Sequence, residues 1–193
     1  MIAALFVAKG GAYCGLEGVD PWNEERDARL YPGPYPVVAH PPCERWCMLA
    51  GLVEHRWGHK KGDDGGTFAS ALASVRRWGG VLEHPAFTAA WPAHGLPTPG
   101  DYGWQRDLFG GWTCQVAQSA YGHLAQKLTW LYYVGDAPPP AMRWETPTGT
   151  HKVSWFDDTG SSQPSLTKKQ VKATPPEFRD LLLSIAKSAR VEK

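Results

Sequence analysis

Pro36-Val-Val-Ala-His-Pro-Pro-Cys-Glu-Arg-Trp-Cys47 is the stretch from which the rest of the chain can be placed. Val37, Val38 and Ala39 are apolar without alternation, the pattern of a short strand covered on both faces. Pro41 and Pro42 fix φ and remove two N–H donors, so neither strand nor helix runs through them, and the chain turns out rigidly where Cys43 appears. A stiff turn at the carboxyl end of a strand is where open α/β sheets place their ligands. Cys43 is therefore the first candidate for chemistry.

The same shape recurs downstream. Phe68, Ala71, Leu72, Val75 and Trp78 follow the three-four spacing of one buried helix face, and Gly79-Gly80 closes that helix. Gly80-Val-Leu-Glu-His-Pro85 then reads as a core strand ending in Glu83 and a proline. If the two strands lie side by side and parallel, Cys43 and Glu83 emerge at one sheet edge.

Upstream, residues 2–8 read as a first buried strand, followed by the glycine-rich turn Lys9-Gly-Gly-Ala-Tyr-Cys-Gly15. Asp20 before proline, with acidic residues after it, predicts a short helix near 23–30. Residues 44–57 show near-helical apolar spacing, and 55–66 form a polar, glycine-rich loop.

Further on, a short helix is expected over 87–91, a hairpin over 102–108 and 112–118, and a β-prone run from Leu128 that Pro138-Pro-Pro140 stops. Residues 141–163 read as loop and edge, with a strand near 153–156. Thr174-Pro-Pro-Glu177 reads as a capping box opening a terminal helix. The expectation is a single α/β domain over 1–193: a core over 1–134, a loop and edge region over 135–165, and a C-terminal helix over 174–190.

With 193 residues the chain is long enough to bury a core, and its net charge of +1 leaves basic character to local patches: Arg76-Arg77, His59-Lys60-Lys61, and Lys168-Lys169 with Lys172. Ten Trp raise the expectation of ligand binding. The four cysteines, Cys14, Cys43, Cys47 and Cys114, are too sparse for a disulfide framework and point to a reducing cytoplasm, the host's if the chain is phage-encoded. The opening apolar run is too short for a membrane span or signal sequence.

Three segments together resemble the DNA cytosine-5 methyltransferase superfamily, especially its compact phage-borne members. His40-Pro-Pro-Cys43 is similar to the Pro-Cys motif that carries the nucleophile. Leu82-Glu-His-Pro85 looks like the Glu-Asn-Val or Glu-Asn-Pro motif. Gln118-Ser-Ala-Tyr-Gly-His-Leu-Ala-Gln-Lys-Leu-Thr129 follows the order of the Tyr-Gly and Lys/Arg-x-Thr elements beside the target base.

The resemblance implies a reduced Rossmann-like, class I methyltransferase-like three-layer fold with a mixed sheet, and a transferase acting at C5 of a pyrimidine in DNA, flipped or single-stranded. Cys43 would be the thiolate that adds at C6 and Glu83 the acid at the N3 edge. His40, Pro42, His84, Tyr121, Lys127 and Thr129 would line the substrate side. Phe6, Gly10, Gly11 and Asp20 would hold S-adenosylmethionine. The same covalent addition also serves a C5 hypermodification that does not use that donor. Two other readings stand beside these: a zinc site from Cys43-x3-Cys47 and His55-x3-His59, and a non-catalytic module binding nucleic acid or protein.

Overall fold

The computed structural model describes residues 1–47, 50–51, 58, 60–153 and 162–189. Among them runs a seven-stranded mixed sheet of order β2-β1-β3-β4-β7-β6-β5. The strands are β1 (Ile2–Leu5), β2 (Val19–Trp22), β3 (Val37–Ala39), β4 (Gly80–Pro85), β5 (Gln105–Arg106), β6 (Trp112–Ala117) and β7 (Leu128–Val134). β2, β1, β3 and β4 are parallel neighbours. β7 lies antiparallel between β4 and β6, and β5 closes the far edge as the short first arm of the expected hairpin.

Burial explains the unalternating apolar runs. β1 and β3 are buried at every residue, because helices cover both sheet faces. On one face, helix α1 (Thr67–Trp78) sets Phe68, Ala71 and Val75 against Ala3, Leu5, Val37, Ala39 and Leu82. On the other, the C-terminal helix, numbered α4 (Pro176–Ser188), sets Phe178, Leu182 and Ile185 against Ile2, Ala4, Val38, Val81 and Leu131. Between them in sequence come the short helices α2 (Ala90–Ala93) and α3 (Lys168–Lys172).

One carboxylate links Trp46, after β3, to the start of α1. Asp64 accepts from Trp46 Nε1 at 2.8 Å and from the backbone N–H groups of Gly66 and Phe68, each at 2.9 Å. It therefore ties the residues just after Cys43 to the first turn of α1, and residues 63–66 of the glycine-rich loop are pinned. Asp64→Ala is expected to lower stability by about 2 kcal/mol in urea denaturation, through loss of this capping and an orphaned indole N–H.

Three local expectations are corrected. The helix near 23–30 is a 3-10 turn over Ala28–Leu30, and Asp20 lies in strand β2 instead. Pro21 is tolerated there because β2 is the sheet edge, where a missing N–H costs no ladder bond. Thr174 caps nothing: α4 starts from Pro175 without a side-chain cap, and Glu177 pairs with Arg143. The capping box is one element earlier, between Thr167 and Gln170 at the start of α3. The expected helix over 87–91 falls at Ala90–Ala93. The strand near 153–156 and the apolar spacing of Met48, Leu49, Leu52 and Val53 lie largely or wholly outside the described residues.

Candidate active site

From β1 the chain passes to β2 on one side and returns through β3 on the other, so the sheet has a switch point between β1 and β3. Crevices at such points, beyond the carboxyl ends of the strands, are the usual ligand sites of open α/β sheets. His40 extends β3 by donating its N–H to Leu5 O at 3.1 Å. Pro41 and Pro42 end the ladder, and the Cys43 carbonyl then accepts from Trp46 N at 2.9 Å and Cys47 N at 3.0 Å. Cys43 thus opens a helical turn directly above the strand.

Strand alternation sends Val38 and His40 of β3, and Val81 and Glu83 of β4, toward the α4 face. There His40 Nδ1 meets Glu83 Oε2 at 2.9 Å, and Tyr13 Oη meets His40 Nε2 at 2.7 Å. Gln118 Nε2 donates to Glu83 Oε1 at 3.2 Å and to Thr129 Oγ1 at 2.9 Å, and the Thr129 hydroxyl donates to Lys127 O at 3.2 Å. A neutral imidazole with its proton on Nδ1, donating to Glu83 and accepting from Tyr13, satisfies this chain of bonds. The result is a continuous network from Tyr13 to the backbone of Lys127, joining β1's following turn, β3, β4 and β7.

The electrostatics give each group a state. Burial opposes ionisation of Glu83, but the His40 hydrogen bond and the Lys127 charge outweigh it and hold the carboxyl down at about 2. Burial, reinforced by the Glu83 charge, pushes Tyr13 well above the phenol range. Burial likewise pushes the Cys43 thiol up to about 11, with Glu44 and Glu83 adding to it and Lys127 opposing. At neutral pH the site therefore offers a fixed carboxylate acceptor, a protonated thiol and a nearby ammonium.

Cys43, Glu83, His40, Lys127 and Thr129 are brought to this edge together. His40 has both ring nitrogens engaged within the protein, so it orients Glu83 instead of reaching a phosphate or base. His84 points to the opposite face, where it is 1% exposed and packs against Phe68 and Trp91, because adjacent residues of a strand alternate. Burial holds it down at about 4. Tyr121 is core: its hydroxyl accepts from Arg143 N at 2.8 Å and its ring packs on Phe178. Pro42 is exposed and acts by ending the strand.

Three of the four residues expected to hold a cofactor have contacts within the protein, and a Cβ on the fourth, Gly10, would meet nothing within 4 Å. Gly11 donates its N–H to Ala8 O inside its own turn, and a Cβ there would sit 2.9 Å from that oxygen. Phe6 packs toward the α1 face. Both oxygens of Asp20 are taken, by Arg26 and by Trp22 Nε1, and the Arg26 bond holds its carboxyl below the usual range. Of the zinc set, Cys43 and Cys47 lie one helical turn apart, while His55 and His59 are outside the described residues. Among the described residues no group of three or more His, Cys, Asp or Glu converges as a metal would need.

Tyr13 and Gln118 were not singled out by sequence as site residues. Tyr13 is hidden in a glycine-rich turn, and Gln118 opens the third motif segment without itself being a motif residue; neither has a periodic signal that marks it.

No protein-family model, curated protein or solved structure matches the chain. Among the described residues no helix is long and apolar enough to cross a membrane.

Proposed function

We propose that this chain is an enzyme that modifies a pyrimidine of DNA at C5, using a Rossmann-like sheet reduced from the class I methyltransferase pattern and Cys43 as the covalent nucleophile. The observation that supports this most is the in-register parallel pairing of β3 with β4, Val37 to Gly80 through Ala39 to Leu82. It releases Cys43 and Glu83 at one edge, and β7 brings Thr129 opposite Pro85 beside them. Residues of three separate motif segments thereby meet at one end of the sheet.

In this reading the Cys43 thiol gives its proton to solvent as the base enters, and the thiolate forms a C6–S bond. The C5–C6 π pair moves to C5, which takes up an electrophile, a solvent proton or deuteron in the exchange assay. The C5 hydrogen then leaves as a proton to water, its electron pair restores the C5–C6 double bond, and the C6–S bond breaks to return the thiolate. Glu83, held ionised, accepts from an N–H on the base's Watson–Crick edge and orients the ring, and Lys127 supplies positive charge to the base carbonyl as electrons move toward it. His40, Tyr13 and Gln118 fix the Glu83 carboxylate in place.

S-adenosylmethionine is the donor the resemblance implies, and Phe6, Gly10, Gly11 and Asp20 are the residues that would hold it. No step is routed through it. The chemistry assigned to this chain's own residues is activation of C5, which a solvent proton also reveals. Incubation in deuterated water with oligonucleotides containing cytosine or uracil, followed by nucleoside mass spectrometry, is expected to show deuterium at C5. Absence of label from every pyrimidine, in single strands and duplexes alike, overturns the proposal.

A further inference from the structure

Helix α3 is a five-residue helix with no buried residue, and it carries three lysines. Lys168 and Lys172 are i and i+4, with Lys169 beside them, so the ammonium groups share one exposed patch. Its length and charge pattern do not favour this. A helix so short does not persist by itself, like charges at i and i+4 repel, and the first turn has lysines where the helix dipole favours acids.

The helix is held from outside. The Thr167–Gln170 capping box fixes its start, with Gln170 Oε1 accepting from Thr167 N at 2.9 Å, and Leu166 just before it is buried. At its end Lys172 Nζ reaches Glu44 Oε1 at 2.7 Å, and Glu44 is the residue after Cys43. A lysine cluster in a chain of net charge +1 is thus anchored beside the turn that carries Cys43. Among the described residues Lys168 and Lys169 form no ion pair.

A second observation lies beyond the end of β4. Phe87 is 57% exposed and sits at φ 62, a left-handed conformation that is costly for an aromatic residue. Its ring stands against Trp130 at 5.6 Å and presents itself to solvent at the strand end that carries Glu83. Phe87 and the Lys172–Glu44 anchor both lie beyond the carboxyl ends of the neighbouring strands β4 and β3, and an exposed ring combined with lysines is the pairing by which single-stranded nucleic acid is held, bases stacking while phosphates meet cations.

We propose that α3 is the backbone contact for the nucleic-acid strand whose base enters the Cys43 crevice, with Lys168 and Lys169 on its phosphates and Phe87 stacking a neighbouring base. This rests on the C5 reading for the identity of the strand. The phosphates neutralise Lys168 and Lys169, the two lysines of α3 outside the Glu44 ion pair, and binding is independent of sequence because every strand offers the same anions.

The test uses the full chain with Cys43→Ser, so that binding is read without turnover, and fluorescein-labelled single-stranded DNA of mixed sequence titrated by anisotropy at rising NaCl. The logarithm of affinity is expected to fall linearly with the logarithm of salt concentration. Lys168→Ala with Lys169→Ala, both good helix formers, is expected to reduce that slope by about 0.7 per lysine. Phe87→Ala is expected to weaken binding about tenfold with the slope unchanged. No binding at low salt, an unaltered slope in the double variant, or equal competition by polyglutamate overturns the proposal. Binding that behaves as expected without C5 exchange in the Cys43 protein supports this contact and overturns only the C5 chemistry.

Discussion

Cys43→Ser is expected to lower C5 deuterium exchange by on the order of a thousandfold or more, the scale on which loss of a covalent nucleophile acts. Stability is expected to change little, since serine is close in shape and, among the described residues, no hydrogen bond to Sγ holds the turn; Pro41, Pro42 and the backbone bonds from Trp46 and Cys47 do. Cys47→Ser is the internal control. Its sulfur faces Glu44 O at 3.7 Å, and its loss is expected to leave exchange within about twofold. The pH dependence follows from the elevated thiol. With Cys43 held up to about 11, the thiolate fraction rises about tenfold per pH unit through the neutral range, so exchange in the parent protein should climb with the same slope between pH 6 and 9. A rate that is flat over that range would mean that the attacking thiol is already ionised, against the elevation that burial imposes on Cys43.

Glu83→Gln is expected to reduce exchange by roughly a hundredfold to ten-thousandfold, because the amide cannot match the carboxylate as acceptor and its NH2 end must oppose the donor of either His40 or Gln118. The same change has a stability signature. The carboxyl titrates at about 2 in the folded protein against 4.5 for the free group, a lowered value, so its contribution is fully present above 4.5 and is lost as pH falls from there toward 2. At pH 7 that contribution is roughly 3 kcal/mol. Urea denaturation should therefore show the parent protein ahead of Glu83→Gln by about this amount at neutral pH, with the gap closing below pH 4.5. A gap that stays constant down to pH 2.5 would show that the carboxylate charge is not what His40 and Lys127 stabilise.

The parts of this site that strand logic governs were legible before any coordinates. Two apolar runs that each end in a proline imply two core strands, and the helix between them implies a parallel crossover, which places Cys43 and Glu83 at one edge. The partners across the sheet were not legible. Tyr13 meets His40 across 27 residues of chain and Gln118 meets Glu83 across 35, and no local period reports such contacts.

His84 was misplaced for a simple reason: it neighbours Glu83 in sequence, and on a strand that puts it on the other face. Strand β2 escaped notice because Asp20-Pro21 carries the signal of a helix start, and only its edge position makes proline acceptable there. The glycine turn after β1 was read as a cofactor loop from composition, yet its backbone bonds close on themselves, and composition does not distinguish the two.

The central claim is that the Cys43 sulfur bonds to C6 of a pyrimidine, and 5-azacytosine tests it most directly, since its ring accepts thiolate addition without needing a transferred group. Intact-mass analysis after incubation with an oligonucleotide containing that base should show one adduct per chain, and proteolysis should place it on the peptide bearing Cys43, with none formed by Cys43→Ser. An adduct mapped to Cys14 or Cys47, or no adduct under conditions where the oligonucleotide binds, would contradict the assignment.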